Sequence, residues 1–292
     1  MLRWDERRRH RGPVAFVLSG GGPLGAVQVG FLHALFEHGI VPDVVVGVSV
    51  GALNAVAVAD DPSAAGVESL EGLWLRMRKE DLFPGGRLTW AWHAVTRGAS
   101  LYSNDGLRRV IDRHLRASTF EELMIPAHVV ATALATGEEA WFSQGRITEP
   151  LLASAAMPGV LPPVEIDGVR YVDGGVANNV PVSRAVALGA RQVYVLNVHA
   201  AAQPRRLDRP HDFMMHGMVL ARAQRYRNEV ESLRRKVTVV EFPPVQVGHI
   251  PFTSVAHTGR LIEAGYRNAS AFLDARISAG QAADGGRMHR PA

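Results

Sequence analysis

Val14-Ala15-Phe16-Val17-Leu18-Ser19-Gly20-Gly21-Gly22-Pro23-Leu24-Gly25 reads as a short apolar strand that runs into a glycine-rich turn and then a helix. The apolar run has the length and β-branched character of a buried strand. A helix is expected over Leu24–Glu37, stopped by Gly39 in the C-cap region. The same unit recurs at Val44-Val45-Val46-Gly47-Val48-Ser49-Val50-Gly51, with a strand over Val44–Val46 and a helix of small residues over Val50–Ala59. Asp60-Asp61-Pro62 ends that helix. Short apolar strands alternating with longer helical stretches predict an α/β protein whose parallel sheet is covered by helices.

Further helices are expected at Val67–Arg78, Asp105–Leu115 (capped by Asn104 or Ser103), Thr148–Ala156, Met214–Arg235 and Ser254–Arg276. Strands are expected at Ala127–Ala133, Gly168–Val172, Gln192–Val198 and Val237–Val240. No repeat and no linker divides the chain. One domain over 13–278 is therefore expected, between a basic N-terminal segment, 1–12, and a tail, 279–292, expected to be disordered.

The chain has 292 residues, 47% apolar and 21% charged. That balance supports a substantial core and argues against a disordered chain. Cysteine is absent, which removes disulfides, thiolate metal sites and cysteine nucleophiles. Carboxylates and hydroxyls, with or without histidine, must carry the chemistry. The net charge of +4 is mild, and much of the basic excess sits at Arg3, Arg7, Arg8, Arg9 and Arg11. A solvated terminus explains that run; attraction to anionic lipid headgroups is the sharper reading. Nucleic-acid binding is not expected, because no aromatics interleave the arginines and no binding module follows. The apolar window from Val14 to Phe36 is broken by Gly20-Gly21-Gly22-Pro23, which fits neither a signal peptide nor a membrane span. The expectation is a cytoplasmic protein able to touch membranes from one side.

Gly47-Val48-Ser49-Val50-Gly51 is a GxSxG motif between a strand and a helix. A serine on such a sharp turn is held in strained backbone geometry with its hydroxyl exposed, while Gly47 and Gly51 let the turn close. The following helix also points its positive end at the spot. A plain serine N-cap is the competing reading; the strand–turn–helix position favours the nucleophile.

The turn Gly20-Gly21-Gly22-Pro23-Leu24-Gly25 matches GxGxxG. It suits either a dinucleotide pyrophosphate or an oxyanion hole, since both use exposed backbone N–H groups. A dinucleotide site wants an acidic residue at the end of the second strand, where this chain has Gly47-Val48-Ser49, and Asp43 precedes that strand. The acyl-transfer reading gains a nucleophile there. Asp173-Gly174-Gly175, followed by Asn178-Asn179, looks in isolation like an ordinary turn. It matters because a serine nucleophile needs a base and Asp173 closes an expected strand.

Together these motifs resemble the patatin-like phospholipase family over about Val14 to Val198. Ala52-Leu53-Asn54-Ala55 after the elbow and the segment from Ser154 to Val164 add to the match. The resemblance implies a three-layer α/β/α fold and a serine lipid acyl hydrolase without cofactor or metal. It assigns Ser49 as nucleophile, Asp173 as base and the N–H groups of Gly20, Gly21 and Gly22 as the oxyanion hole. Gly25, Gly47, Gly51, Gly174 and Gly175 are carried over as motif glycines. The family usually has Arg or Lys where this chain has Leu24. Two further functions share the fold: an acyltransferase using the same acyl-enzyme, and a non-catalytic lipid-binding regulator.

An unperturbed Asp has a pKa of about 3.9, far from the working pH of a general base. Asp173 is therefore expected to be buried with its pKa raised. His199 and His257 follow Asp173 and would suit a Ser–Asp–His triad, but the elbow comes after only one strand and neither histidine has an orienting motif. Leu82-Phe83-Pro84 with Trp90-Ala91-Trp92, and Met214-Met215-His216-Gly217-Met218, are candidates for an acyl groove, a membrane contact or ordinary core.

Overall fold

The computed structural model describes residues 12–82, 100–198, 210–248, 250 and 254–285. Residues 1–11 of the basic segment, His199, Phe83-Pro84 and Trp90-Ala91-Trp92 lie outside them, as do the side chains of Met214 and Met215.

β1 (Val14–Leu18) leads through a short 3-10 turn at Gly22–Leu24 into α1 (Gly25–Glu37), and β2 (Val44–Val48) leads into α2 (Val50–Asp60). Three helices follow: α3 (Ala64–Arg76), the single turn α4 (Lys79–Leu82) and α5 (Asp105–His114). Next come β3 (Ala127–Ala133), β4 (Glu139–Phe142) and α6 (Thr148–Ser154). The chain then forms β5 (Val164–Ile166), β6 (Val169–Asp173), α7 (Val182–Ala187) and β7 (Gln192–Leu196). It ends with α8 (Pro210–Leu233), β8 (Thr238–Glu241) and α9 (Thr258–Gly285).

The eight strands form one sheet in the order β5-β6-β3-β2-β1-β7-β8, with β4 also on β3. β1, β2, β3, β7 and β8 run parallel; β4, β5 and β6 are antiparallel to their neighbours. The sheet is thus mixed around a parallel centre. Alternate side chains of the central strands feed two cores, as the two-residue period requires. Phe16, Leu18, Val45, Tyr194 and Leu196 pack with α1, α2, α3, α5, α6 and α9 on one face. Ala15, Val17, Val46, Val193 and Val195 pack with Val182 and Ala185 of α7 and Leu233 of α8 on the other. Helices on both faces make three layers.

The expected elements are present with shifted ends. The tail differs: α9 continues to Gly285, so residues 279–285 are helical. Gln281-Ala282-Ala283 are good helix formers, and extending a helix is far easier than starting one. Four elements had no counterpart in the sequence reading: α4, β4, β5 and α7. β5 did carry a signal. Asp167-Gly168 joins it to β6 with both φ angles positive, 51° and 77°, the two-residue hairpin turn that an Asp-Gly pair favours.

Candidate active site

Ser49 sits between β2 and α2 with φ 54° and ψ −127°. Among the described residues only Ser49 and Asp167 combine a side chain with positive φ. Such a conformation costs about 1–3 kcal/mol and persists only where its surroundings enforce it. Here Ser49 N–H donates to the hydroxyl of fully buried Ser154 on α6 at 2.8 Å. The Ser49 carbonyl accepts from Ala52 and Leu53 N–H at 2.9 and 3.3 Å. The turn closes only because two residues lack side chains. A Cβ on Gly47 would stand 2.5 Å from Ala52 Cα, and one on Gly51 2.4 Å from the Leu18 and Ser19 carbonyl oxygens.

Gly51 therefore presses the start of α2 against the end of β1, where the glycine loop begins. Gly22 adopts φ 55°, the left-handed region that favours glycine. Among the described residues, the N–H groups of Gly20, Gly21 and Gly22 donate no hydrogen bond within the protein. Gly25 opens α1 against Val50, which a Cβ would approach to 2.5 Å. Leu24 is partly buried against the larger core, so the loop carries no side-chain cation there.

A buried polar chain supports the loop from below. Gln28 donates to the carbonyls of Ser19 and Leu196 at 2.8 and 3.0 Å. Asn54 donates to Gln28 Oε1 at 2.9 Å and to the Gly25 carbonyl at 3.0 Å, and it accepts from Trp74 Nε1 at 2.9 Å. Every partner is satisfied, so the chain rigidifies the loop without an unpaired buried group.

Asp173 closes β6 and reaches the serine through the sheet register. β2 pairs with β3 up to Val48 opposite Val130, and β6 pairs with β3 from Tyr171 opposite Ala133 to Asp173 opposite Ala131. β4 spans Val129 to Thr132 of β3 and occupies the other edge. β2 and β6 thus share one edge of β3 and meet end to end, which brings Ser49 and Asp173 together. Asp173 is 5% exposed. Its N–H donates to the Ala156 carbonyl at 2.9 Å, and its carbonyl accepts from Thr132 Oγ1 at 2.9 Å. Gly174 and Gly175 begin the 3-10 turn Gly174–Val176 that follows. Gly175 N–H donates to Asp173 Oδ1 at 2.8 Å.

Burial pushes the Asp173 carboxyl above the ordinary carboxylate range; the nearby Ser49 hydroxyl, the charge of Arg222 and the Gly175 N–H oppose that rise. Asn179 Nδ2 donates to the Gly20 carbonyl at 3.4 Å and ties the Asp173 turn to the glycine loop. Asn178 accepts from Val180 N–H and donates to Glu139 and Glu229. His257 is exposed on the turn before α9.

An apolar cavity of about 120 Å³ opens beside Ser49. Gly22 and Pro23 line it beside Ser49, and Leu53, Leu73, Trp74 and Ile111 are among the side chains of its wall. Leu82 also lines it. Among the described residues no cluster of three or more His, Asp or Glu is placed to hold a metal ion, and no helix is long and apolar enough to cross a membrane. Gln28, Trp74 and Arg222 were not singled out from sequence, and Ser154 only as the start of the segment running to Val164. Only their place in the fold brings them to the site.

A strained serine at a strand–helix turn, near a buried carboxyl and glycine N–H groups left unpaired among the described residues, is an arrangement that can support nucleophilic chemistry. The sequence profile described as Patatin-like phospholipase matches residues 16–186, more than half of the chain. The chain belongs to the patatin-like phospholipase family. It is 32% identical over 197 residues to Patatin-like phospholipase domain-containing protein ZK370.4 of Caenorhabditis elegans, covering 67% of this chain and 14% of that protein. It is 29% identical over 185 residues to Lysophospholipase nte1 of Aspergillus terreus, covering 63% of this chain and 12% of that protein. The chain thus spans a small part of the length of these relatives. VipD from Legionella pneumophila superposes with a TM-score of 0.49 at 15% identity, covering 91% of this chain and 67% of that one.

Proposed function

We propose that the protein is a serine lipid acyl hydrolase working through an acyl-enzyme on Ser49. The observation that carries this reading is Ser49, held in strained backbone geometry near the buried Asp173 carboxyl and lining an apolar cavity. The acyl chain lies in the cavity, with its carbonyl at Ser49. Ser49 Oγ bonds to the carbonyl carbon as its proton passes to Asp173. The oxyanion accepts hydrogen bonds from Gly20, Gly21 and Gly22 N–H groups, each such donor contributing about 2.7–4 kcal/mol. The C–O bond to the alcohol then breaks, and Asp173 returns the proton to the leaving oxygen. Water attacks the acyl-enzyme, gives its proton to Asp173, and Ser49 leaves reprotonated.

The raised carboxyl pKa supports the base role, because proton transfer is most efficient when the base titrates near the working pH. The name of the Aspergillus terreus relative, a lysophospholipase, supports a lipid ester as substrate.

A fluorophosphonate probe tests the reading. Wild type should be labelled stoichiometrically and Ser49→Ala not at all. Folded wild type that resists the probe would leave a lipid-binding protein without catalysis as the better reading.

A further inference from the structure

Arg222 stands on α8, half-buried beside the site. A Cβ placed on Gly175 would lie 2.9 Å from Asp173 Oδ1 and 3.2 Å from Arg222 Nη2. Guanidinium and carboxyl are therefore no farther apart than those two distances laid end to end. They do not form an ion pair, and among the described residues no carboxylate lies within ion-pair distance of Arg222. Its Nε is enclosed and has no hydrogen-bond partner. Arg225, three residues further along α8, is by contrast paired with Glu139. Taking an arginine N–H out of water without a partner is costly. A planar donor set with a fixed charge matches the oxygens of a phosphate as it does those of a carboxylate.

The two sides of Ser49 differ in chemistry. The apolar cavity takes none of its wall from Asp173, Gly175, Asn179 or Arg222. An ester at Ser49 with its acyl chain in the cavity directs its alcohol portion toward the Asp173 side. In a glycerophospholipid the phosphate is attached only a few bonds from the ester oxygen, and Arg222 lies close beside Asp173.

Building on the acyl-hydrolase reading, we propose that Arg222 binds the phosphate on the alcohol side of the scissile ester, so that the site selects phosphate-bearing acyl esters over neutral ones.

The test compares a short-chain lysophosphatidylcholine with the monoacylglycerol of the same acyl chain, both below their micelle concentrations. Wild type should prefer the phosphate-bearing ester in kcat/KM. Arg222→Ala should shrink that preference by about ten- to a hundredfold, mainly through KM, as expected for one lost charged hydrogen-bonding group. Arg222→Lys should restore part of it. Inorganic phosphate should inhibit wild type competitively and Arg222→Ala much less; inhibition by the lipid alone would place the recognition in the whole headgroup and overturn a phosphate site. Wild type without preference overturns the proposal even if no variant folds. Equal losses on both esters in Arg222→Ala also overturn it, leaving Arg222 a positioning residue for Asp173. Turnover of neither ester, with no fluorophosphonate labelling, would instead be failure of the hydrolase reading.

Discussion

At the residue scale the site is a conflict between burial and charge, centred on Asp173. Its carboxyl is enclosed, and burial outweighs the Gly175 hydrogen bond, the nearby Ser49 hydroxyl and the charge of Arg222. A group whose folded pKa lies above its unfolded value holds extra protons in the folded state between the two. Stability therefore falls as pH rises through that window, from the ordinary carboxylate pKa of about 3.9 up to the raised value. Asp173→Asn removes the charge and keeps the shape. It should raise Tm at neutral pH, with the gain vanishing below the unfolded pKa, while activity drops by about 10²–10⁴-fold through loss of the base. Thermal melts at pH 3.5 and pH 7.5 check the sign; a variant less stable than wild type at pH 7.5 contradicts it. In wild type, activity should follow the deprotonated carboxyl and decline as pH falls through the folded pKa.

At the element scale, close backbone approaches fix where the helices sit. α1 and α9 cross at Gly30 and Gly265, where a Cβ on Gly30 would meet the Ile262 carbonyl oxygen at 2.1 Å and one on Gly265 the Val27 carbonyl oxygen at 2.3 Å. Gly30→Ala improves helix propensity by about 1 kcal/mol. The collision with backbone outweighs it, since overpacking costs about 1–3 kcal/mol or more when no flexible side chain can yield. The variant should lower Tm by several degrees, read by calorimetry, and an unchanged or higher Tm would show that the helices separate freely. These crossings also explain what the sequence concealed. α1 and α2 are buried on nearly every side, so they show little amphipathic stripe, and glycine and serine carried the signal instead. α7 is one short turn after Pro181 and β4 a short half-buried edge strand, both too brief for periodicity to rise above chance.

At the scale of the whole molecule, the cavity is the product of several helices converging on one serine. Its walls come from α2, α3, α4, α5 and α6 together with Val255, and no pair of neighbouring residues in sequence encloses it. Ala57 lies on that wall, 8% exposed. Ala57→Phe should fill the space and lower kcat/KM for long-chain esters at least tenfold relative to an acetate ester, which does not enter deeply. Equal rates for both chain lengths would mean that the acyl chain lies elsewhere.

The glycine loop, the strand–serine–helix unit and the Asp-Gly-Gly turn were legible without coordinates, because each is a local backbone device that demands particular residues at fixed spacing. The alternating strands and helices were legible for the same reason. Their meeting was not. Ser49 faces Asp173 because β2 and β6 arrive from opposite directions along one edge of β3, and Arg222 reaches the pair because α8 packs beside the 174–176 turn. Such contacts join residues far apart in the chain, and the free energy that selects them comes from burying two cores at once rather than from any local preference.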